Sequence, residues 1–318
     1  MGQYITTHEF YHSYTDEPHA TRRTEMLKKY PEIKQLMGHD WRMAIQVVIS
    51  VIIQITVGIL LKDASWSTLL FVAYVVGGTI NHTLSLALHE LTHNLAFGHS
   101  RPISNRLLGF FANIPLGVPA SITFKKYHLD HHRFQGDEVY DTDIPTRLEV
   151  FLFSSRIGKF FFLIIMPFIY SLRPVFVFPK PIHVLELVNI TIMIVFNGIM
   201  YYYFGHKTAL YFVLGTILGL SIHPISGHFI AEHYVFKEGY ETYSYYGPLN
   251  AITYNVGYHN EHHDFPYIAV LYDFVMNDNV GPWARVVRPT KLGVEPVVSQ
   301  QEYEQKLKTI VKEAHKRD

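Results

Sequence analysis

Residues 66–93, WSTLLFVAYVVGGTINHTLSLALHELTH, run apolar for the width of a bilayer and end in a pair of histidines, His89 and His93. A membrane-crossing helix needs about 20 mostly apolar residues, and no Asp, Glu, Lys or Arg interrupts this stretch before Glu90. Upstream, beyond the polar break Lys62-Asp63, Trp41–Leu61 is a second long apolar run rich in Val and Ile. Together they read as a helical hairpin with its turn on the far side. Lys28-Lys29 precedes the first span, which places the N-terminus in the cytosol by the positive-inside rule. His89 and His93 then emerge on that same side.

Downstream, Leu107–Phe124 is apolar but broken by Pro115, Gly117 and Pro119, and reads as interfacial or dipping partly in. Val150–Ile169 contains Arg156 and Lys159 and also reads as interfacial. Val184–Phe204 and Thr208–Ile225 are two further spans, separated by the turn Gly205-His206-Lys207. This even count returns the chain to the cytosol. The expected fold is an all-α integral membrane protein with about four transmembrane helices, interfacial helices and a cytosolic histidine-rich cap. Its expected parts are a cytosolic segment 1–40, a membrane domain 41–269 and a cytosolic tail 270–318.

The chain has 318 residues, and its 27 basic and 27 acidic side chains cancel, so no global field attracts nucleic acid. Mean hydropathy is +0.09, an average that hides the long apolar runs. There is no cysteine, which excludes disulfides, iron–sulfur clusters and thiolate-bound metals. Residues 1–40 are polar and contain no signal peptide. They begin Met1-Gly2-Gln3-Tyr4-Ile5-Thr6, which fits the myristoylation pattern at Gly2.

Eight histidines fall in three groups: His89 and His93; His128, His131 and His132; His259, His262 and His263. The last two groups share the pattern HxxHH. On a helix, positions i, i+3 and i+4 lie on one face, so each group can aim its imidazoles at a common point. His89-Glu90-Leu91-Thr92-His93 is also HExxH, the zinc signature of metalloproteases. An intramembrane protease is therefore one reading, and a metal transporter another. Zinc catalysis uses three protein ligands and leaves five or more of these histidines idle. Two six-coordinate irons can use eight or nine nitrogens and keep positions for oxygen, and neutral imidazole suits iron. His233 is taken as a ninth ligand, with His228 as its competitor. His82 lies deeper on the helix of His89 and suits an interhelical hydrogen bond. Glu90, Asp130, Glu232, Glu261 and Asp264 adjoin proposed ligands and are candidates to accept a ligand's second N–H.

The boxes HELTH, HLDHH and HNEHH resemble those of the membrane fatty-acyl desaturase and hydroxylase superfamily. The motifs NHTLSLALHELTHNLAFG, FKKYHLDHHRFQG, DTDIPT, HPISGHFIAEHY and ETYSYYGPLNAITYNVGYHNEHHDFP are similar to those of the sphingolipid Δ4-desaturases. The likeness runs from YTDEPHATRR through Pro266. It implies a multi-pass enzyme of the endoplasmic reticulum, with both termini cytosolic and myristoylation at Gly2. Such an enzyme holds two Fe2+ ions and uses O2. It takes electrons from cytochrome b5 and its NADH-dependent reductase to convert dihydroceramide to ceramide.

C4-hydroxylation, forming phytoceramide, is the neighbouring outcome; it differs in whether the substrate radical loses a second hydrogen or captures oxygen. Lys125, Lys126 and Arg133 are placed to meet lipid headgroups or cytochrome b5, or are ordinary cytosolic charges. The chain departs from the resemblance in one place. After Pro266 it passes through Tyr267-Ile268-Ala269 directly into Val270-Leu271-Tyr272-Asp273-Phe274, where relatives carry a longer, partly basic segment. Such a shortening alters the cytosolic cover of the site and the docking surface for an electron donor.

Overall fold

A computed structural model describes residues 19–137, 139–233 and 242–269. Gly2, the tail 270–318 and the junction after Ala269 lie outside the described residues.

Among the described residues the secondary structure is helical, apart from one isolated bridge between Met37 and Ile268. Helix α1 spans His19–Lys29 and precedes the first long apolar helix, α2, Arg42–Leu60. A turn leads to Ser65, whose side chain accepts the Thr68 N–H and caps α3, Trp66–Val72. A π-helical turn, Ala73–Gly78, joins α3 to α4, Thr79–Thr92, so that His89 and His93 leave the bundle at its cap end. Such a turn inserts one residue into the ladder and re-aims the helix beyond it.

Helices α5, Pro102–Asn113, and α6, Ser121–Arg133, meet at a bend of 113°. The bend is built from Pro115 and from Gly117, whose φ of +73° an L side chain rarely adopts. Asn113 holds it together, because its Oδ1 accepts the backbone N–H groups of Ala120 and Ser121. Helix α5 therefore turns back instead of continuing, as the proline and glycine spacing predicts.

Helix α7 spans Arg147–Phe153 and α8 spans Arg156–Val177. Helices α9, Val184–Phe204, and α10, His206–Leu220, form a second hairpin about Gly205, at φ +87°. Two short helices finish the cap: α11, His228–Ala231, and α12, His259–Asp264.

Among the described residues, five helical runs are long and apolar enough to cross a membrane: the four read from the sequence, and α8 in addition. The structure thus makes a continuous 22-residue helix where the sequence shows an apolar run interrupted by Arg156 and Lys159. The two charges sit in its first turn, where they do not interrupt the apolar part. Ser221, at the cap-side end of α10, donates to the carbonyls of Leu163 and Ile164 in the middle of α8. Farther along α8, Arg173 reaches the loop carbonyls of Thr142 and Asp143 beside the histidines. Helix α8 is thus tied at its middle to α10 and near its end to the loop after α6, and it leaves Ile157, Phe160 and Phe161 exposed.

Inside the bundle a hydrogen-bonded polar cluster replaces a hydrophobic driving force that lipid cannot supply. Gln54 Nε2 donates to Asn81 Oδ1, and Tyr211 donates to Gln54 Oε1. Asn81 Nδ2 in turn donates to Thr216 Oγ1 and to the carbonyls of Pro115 and Phe212. This cluster ties α2, α4 and α10 to the bend before α6. The bend, and with it His128, His131 and His132, is fixed relative to His89.

Candidate metal centre

Nine imidazoles converge at the cap end, and they divide into two groups. His89, His93, His128, His132 and His262 form one; His131, His233, His259 and His263 form the other. Within each group the candidate ligand nitrogens lie within 4.8 Å of one another. The sequence reading aims each HxxHH at one point, whereas the structure splits both. His128 and His132, four apart on α6, face the first group while His131 faces the second. His259 and His263, four apart on α12, face the second group while His262 faces the first. Helix geometry is the reason. Residues four apart differ by about 40° around the axis, but adjacent residues differ by about 100°. Two such helices laid together therefore define two neighbouring pockets.

The inward nitrogens are spaced as ligands of one ion would be. In the first group the Nε2–Nε2 distances are 2.8 Å for His89–His262, 3.2 Å for His262–His132, 3.0 Å for His132–His128 and 3.1 Å for His128–His93. In the second they are 3.0 Å for His131–His233, 2.7 Å for His233–His259 and 3.1 Å for His259–His263. A neutral imidazole nitrogen carries one N–H or one lone pair, so it cannot satisfy two neighbours at once. Yet His262, His132, His128, His233 and His259 each face two. A cation in each pocket resolves this, since nitrogens about 2.1 Å from an ion and at right angles lie about 3 Å apart. The residues present fit a pair of metal ions.

Burial keeps most of these rings neutral, as ligation requires. It holds His93 down at about 3, helped by the positive charges of Lys125, His99 and His131. It also lowers His128, His132, His259, His262 and His263 well below the ordinary imidazole range, with neighbouring histidines adding to the effect. His131 departs from this pattern. Burial disfavours its charge, but Asp141 and Asp143 outweigh burial and push it up to about 9. Its Nδ1 lies 3.0 Å from Asp141 Oδ1, which sets the ring so that Nε2 faces the second group.

The carboxylates adjoining the histidines in sequence mostly serve elsewhere. Asp130 pairs with Lys180, Glu261 accepts from Ser244 and Tyr246, and Asp264 pairs with His19 and Arg22. Glu90 is buried at the end of α4. Of the five, Glu232 comes near a grouped ring, its Oε1 lying 3.6 Å from His259 Nδ1. Sequence adjacency failed because a residue next to a ligand on a helix points about 100° away from it. Asp141, which does meet a grouped ring, lies in the motif DTDIPT ten residues beyond His131. That motif was the available signal.

His233 stands in the second group, and its competitor His228 does not. His228 Nε2 lies 2.6 Å from His82 Nε2, and its Nδ1 lies 2.8 Å from Glu232. His82 Nδ1 donates to the Gly219 carbonyl on α10 at 2.8 Å, an interhelical bond of the kind its depth suggests. Lys126 is paired with Glu186, Lys125 reaches Asn94, and Arg133 lies over the Phe134 ring.

Comparison with known proteins agrees with this geometry. A fatty acid desaturase family profile matches residues 64–271, and a sphingolipid Delta4-desaturase profile matches residues 6–42. Sphingolipid delta(4)-desaturase DES1 of Drosophila melanogaster is 50% identical over 314 residues, taking in 91% of this chain and 98% of that protein. The corresponding proteins of Mus musculus and Homo sapiens are 48% and 45% identical over 317 residues, each taking in 92% of this chain and 98% of the relative. No solved structure matches the chain. An all-helical fold with apolar spans and a histidine-rich cap defines a membrane-bound desaturase. Within that class, the chain belongs to the sphingolipid Δ4-desaturase family.

The relatives are also slightly longer over the matched region. For the Drosophila protein, 91% of 318 residues is about 289, against 314 aligned positions, a difference of about 25.

Proposed function

We propose that this chain is a sphingolipid Δ4-desaturase that converts dihydroceramide (N-acylsphinganine) to ceramide (N-acylsphingosine). The reaction uses O2 and two electrons from cytochrome b5, recharged by its NADH-dependent reductase. His89, His93, His128, His132 and His262 would hold one Fe2+, and His131, His233, His259 and His263 the other. When bound, such a pair supplies the oxidising power to remove hydrogen from an unactivated methylene, which no acid–base side chain can do near neutral pH.

The protein's share is placement. Neutral buried imidazoles present lone pairs, and Asp141 fixes the orientation of His131. The bend after α5 carries α6 back against α4, which closes the pockets from one side. Carbons of the lipid held against these pockets would be the ones that react. The enzyme would sit in the endoplasmic reticulum membrane with both termini cytosolic, and with Gly2 myristoylated. The division of nine imidazoles into five and four, in a chain of this family, carries the reading. A zinc protease would need three protein ligands, far fewer than converge here.

The test is expression in cells that lack sphingolipid desaturation, followed by analysis of the long-chain bases. Δ4-unsaturated base is expected from the chain and none from a His131→Ala variant. Hydroxylated base alone would reassign the activity to C4-hydroxylation. If neither product forms with the protein folded and iron-loaded, the proposal fails.

A further inference from the structure

Helix α1 reaches across more than 200 residues of sequence to the third histidine box. Arg22 makes a fork onto Asp264, with Nε 2.8 Å from Oδ2 and an outer nitrogen 2.7 Å from Oδ1. The same outer nitrogen lies 2.6 Å from Asn260 Oδ1. His19 Nδ1 is 2.7 Å from Asp264 Oδ1, and its Nε2 is 2.7 Å from the Thr242 hydroxyl. Arg23 donates to the backbone carbonyls of Asp264 and His263. The Asp264 side chain is fully buried, and the His19 ring lies 5.1 Å from that of His263.

Apolar contacts run alongside. Ile33, Phe265 and Ile268 form a small core joined by Met26 and Leu27 of α1. The Gly38 N–H donates to the Tyr267 carbonyl.

Helix α12 has six residues and no side-chain N-cap, too few to be stable by itself. Its orientation must therefore come from outside. Ser244 and Tyr246 hold Glu261 in its first turn, and α1 holds its far end. That helix supplies two of the four histidines in the second group, His259 and His263, but one of the five in the first, His262. Loosening α12 removes half of one ligand set and a fifth of the other.

We propose that His19 and Arg22 are positioning residues that clamp α12 through Asp264 and thereby complete the four-histidine metal site. The stretch matched by the sphingolipid desaturase profile, residues 6–42, contains this clamp, whereas the general desaturase profile begins at residue 64. The part of the chain that marks the subfamily is thus the part that braces the metal ligands. The inference rests on the two-ion reading of the site.

Its test uses the full-length protein purified in detergent, as wild type and as Arg22→Gln, Arg22→Lys, His19→Gln and the exposed control Lys28→Gln. Two quantities are read: iron per chain after loading, and amide hydrogen exchange of residues 259–264 in the metal-free protein. Arg22→Gln is expected to drop from about two irons per chain to about one, and its α12 amides to exchange at least tenfold faster. Arg22→Lys is expected to follow it, because an ammonium cannot reproduce the fork. His19→Gln should show a smaller loss, and Lys28→Gln should match wild type. Two irons retained in Arg22→Gln, or unchanged exchange in α12, overturns the clamp. Fewer than two irons in the wild type would instead sink the two-ion reading, and the exchange rates would then decide the clamp alone.

Discussion

His131 Nδ1 lies 3.0 Å from Asp141 Oδ1, and Asp141 is itself fully buried. The same carboxylate accepts the backbone N–H groups of Gly136 and Asp143, so its position is set by the loop that follows α6. Arg173 reinforces that loop from α8, pairing with Glu149 and donating to the carbonyls of Thr142 and Asp143. The loop aims a carboxylate, and the carboxylate aims an imidazole of the four-histidine group. Removing such a partner usually costs 10–100-fold in metal affinity or activity. Asp141→Ala is accordingly expected to lower desaturation by roughly 10- to 100-fold while the protein still reaches the membrane. Product analysis in the desaturase-deficient cells, with the expression level measured alongside, checks this. Wild-type activity in the variant would show that Asp141 does not orient His131.

His233 and His228 lie five residues apart and have opposite surroundings. His233 Nε2 sits between His131 and His259, while His228 is tied to His82 and Glu232. His233→Ala should lose most iron from the four-histidine group and nearly all activity. His228→Ala should retain two irons, with any loss of activity coming through a looser Glu232. Iron analysis of the two purified variants separates the roles, and the reverse pattern would make His228 the ninth ligand.

The spans and the histidine helices were legible because they depend on local periodicity. Apolar runs of membrane length and an i, i+3, i+4 spacing are written in adjacent residues. Pro115, Gly117 and Pro119 likewise announce the bend before α6. The illegible features depend on approach between distant segments. The HxxHH pattern cannot say which imidazole joins which pocket until α6 and α12 face each other. Nor can it say that Asp264 turns towards Arg22, 242 residues earlier, instead of towards a neighbouring histidine. In α8, Arg156 and Lys159 sit in the first turn and lower the apparent apolarity of a window without shortening the helix.

Close helix packing was another feature hidden from composition. Gly215 and Gly219 on α10 lie against Gly77 and Gly78 at the π-helical turn, a small-xxx-small arrangement of the kind that lets membrane helices approach. A Cβ at Gly219 would strike the Gly78 carbonyl and lie 2.8 Å from the Gly78 Cα, both backbone atoms that cannot rotate away. The Gly219 carbonyl also accepts from His82. Gly219→Ala should therefore destabilise the protein by about 1–3 kcal/mol, the usual cost of overpacking. Gly198, with nothing within 4 Å of its added Cβ, is the control. Alanine there should be neutral or stabilising by up to about 1 kcal/mol, because mid-helix glycine is unfavourable. Thermal unfolding in detergent reads both, and equal midpoints would refute the close contact.

The metal-free protein should lose stability in acid, and its histidines set the direction. His93 is held near 3 by burial and by the charges of Lys125, His99 and His131. His132, His259, His262 and His263 are likewise pushed down by burial. Below the ordinary imidazole value near 6.5 the unfolded chain binds protons that these buried rings refuse. Their contribution is complete above pH 6.5 and is lost as pH falls towards 3. Each such ring adds a slope of up to roughly 1.4 kcal/mol per pH unit in that window. His131 acts in the opposite sense. Asp141 and Asp143 overcome its burial and hold it up at about 9, so its contribution is complete below 6.5 and fades as pH rises through 9. Several rings oppose one, so the acid side dominates. The unfolding midpoint of the metal-free protein should fall from pH 7 to pH 5, and a smaller decline between about pH 6.5 and 9 should disappear in Asp141→Ala. Bound metal should hold the midpoint up further into acid, because protons must then displace the ion before they reach the ring nitrogens. A midpoint that stays level from pH 7 to 5 without metal would mean that these imidazoles are not buried neutral, and the ligand pockets would have to be drawn differently.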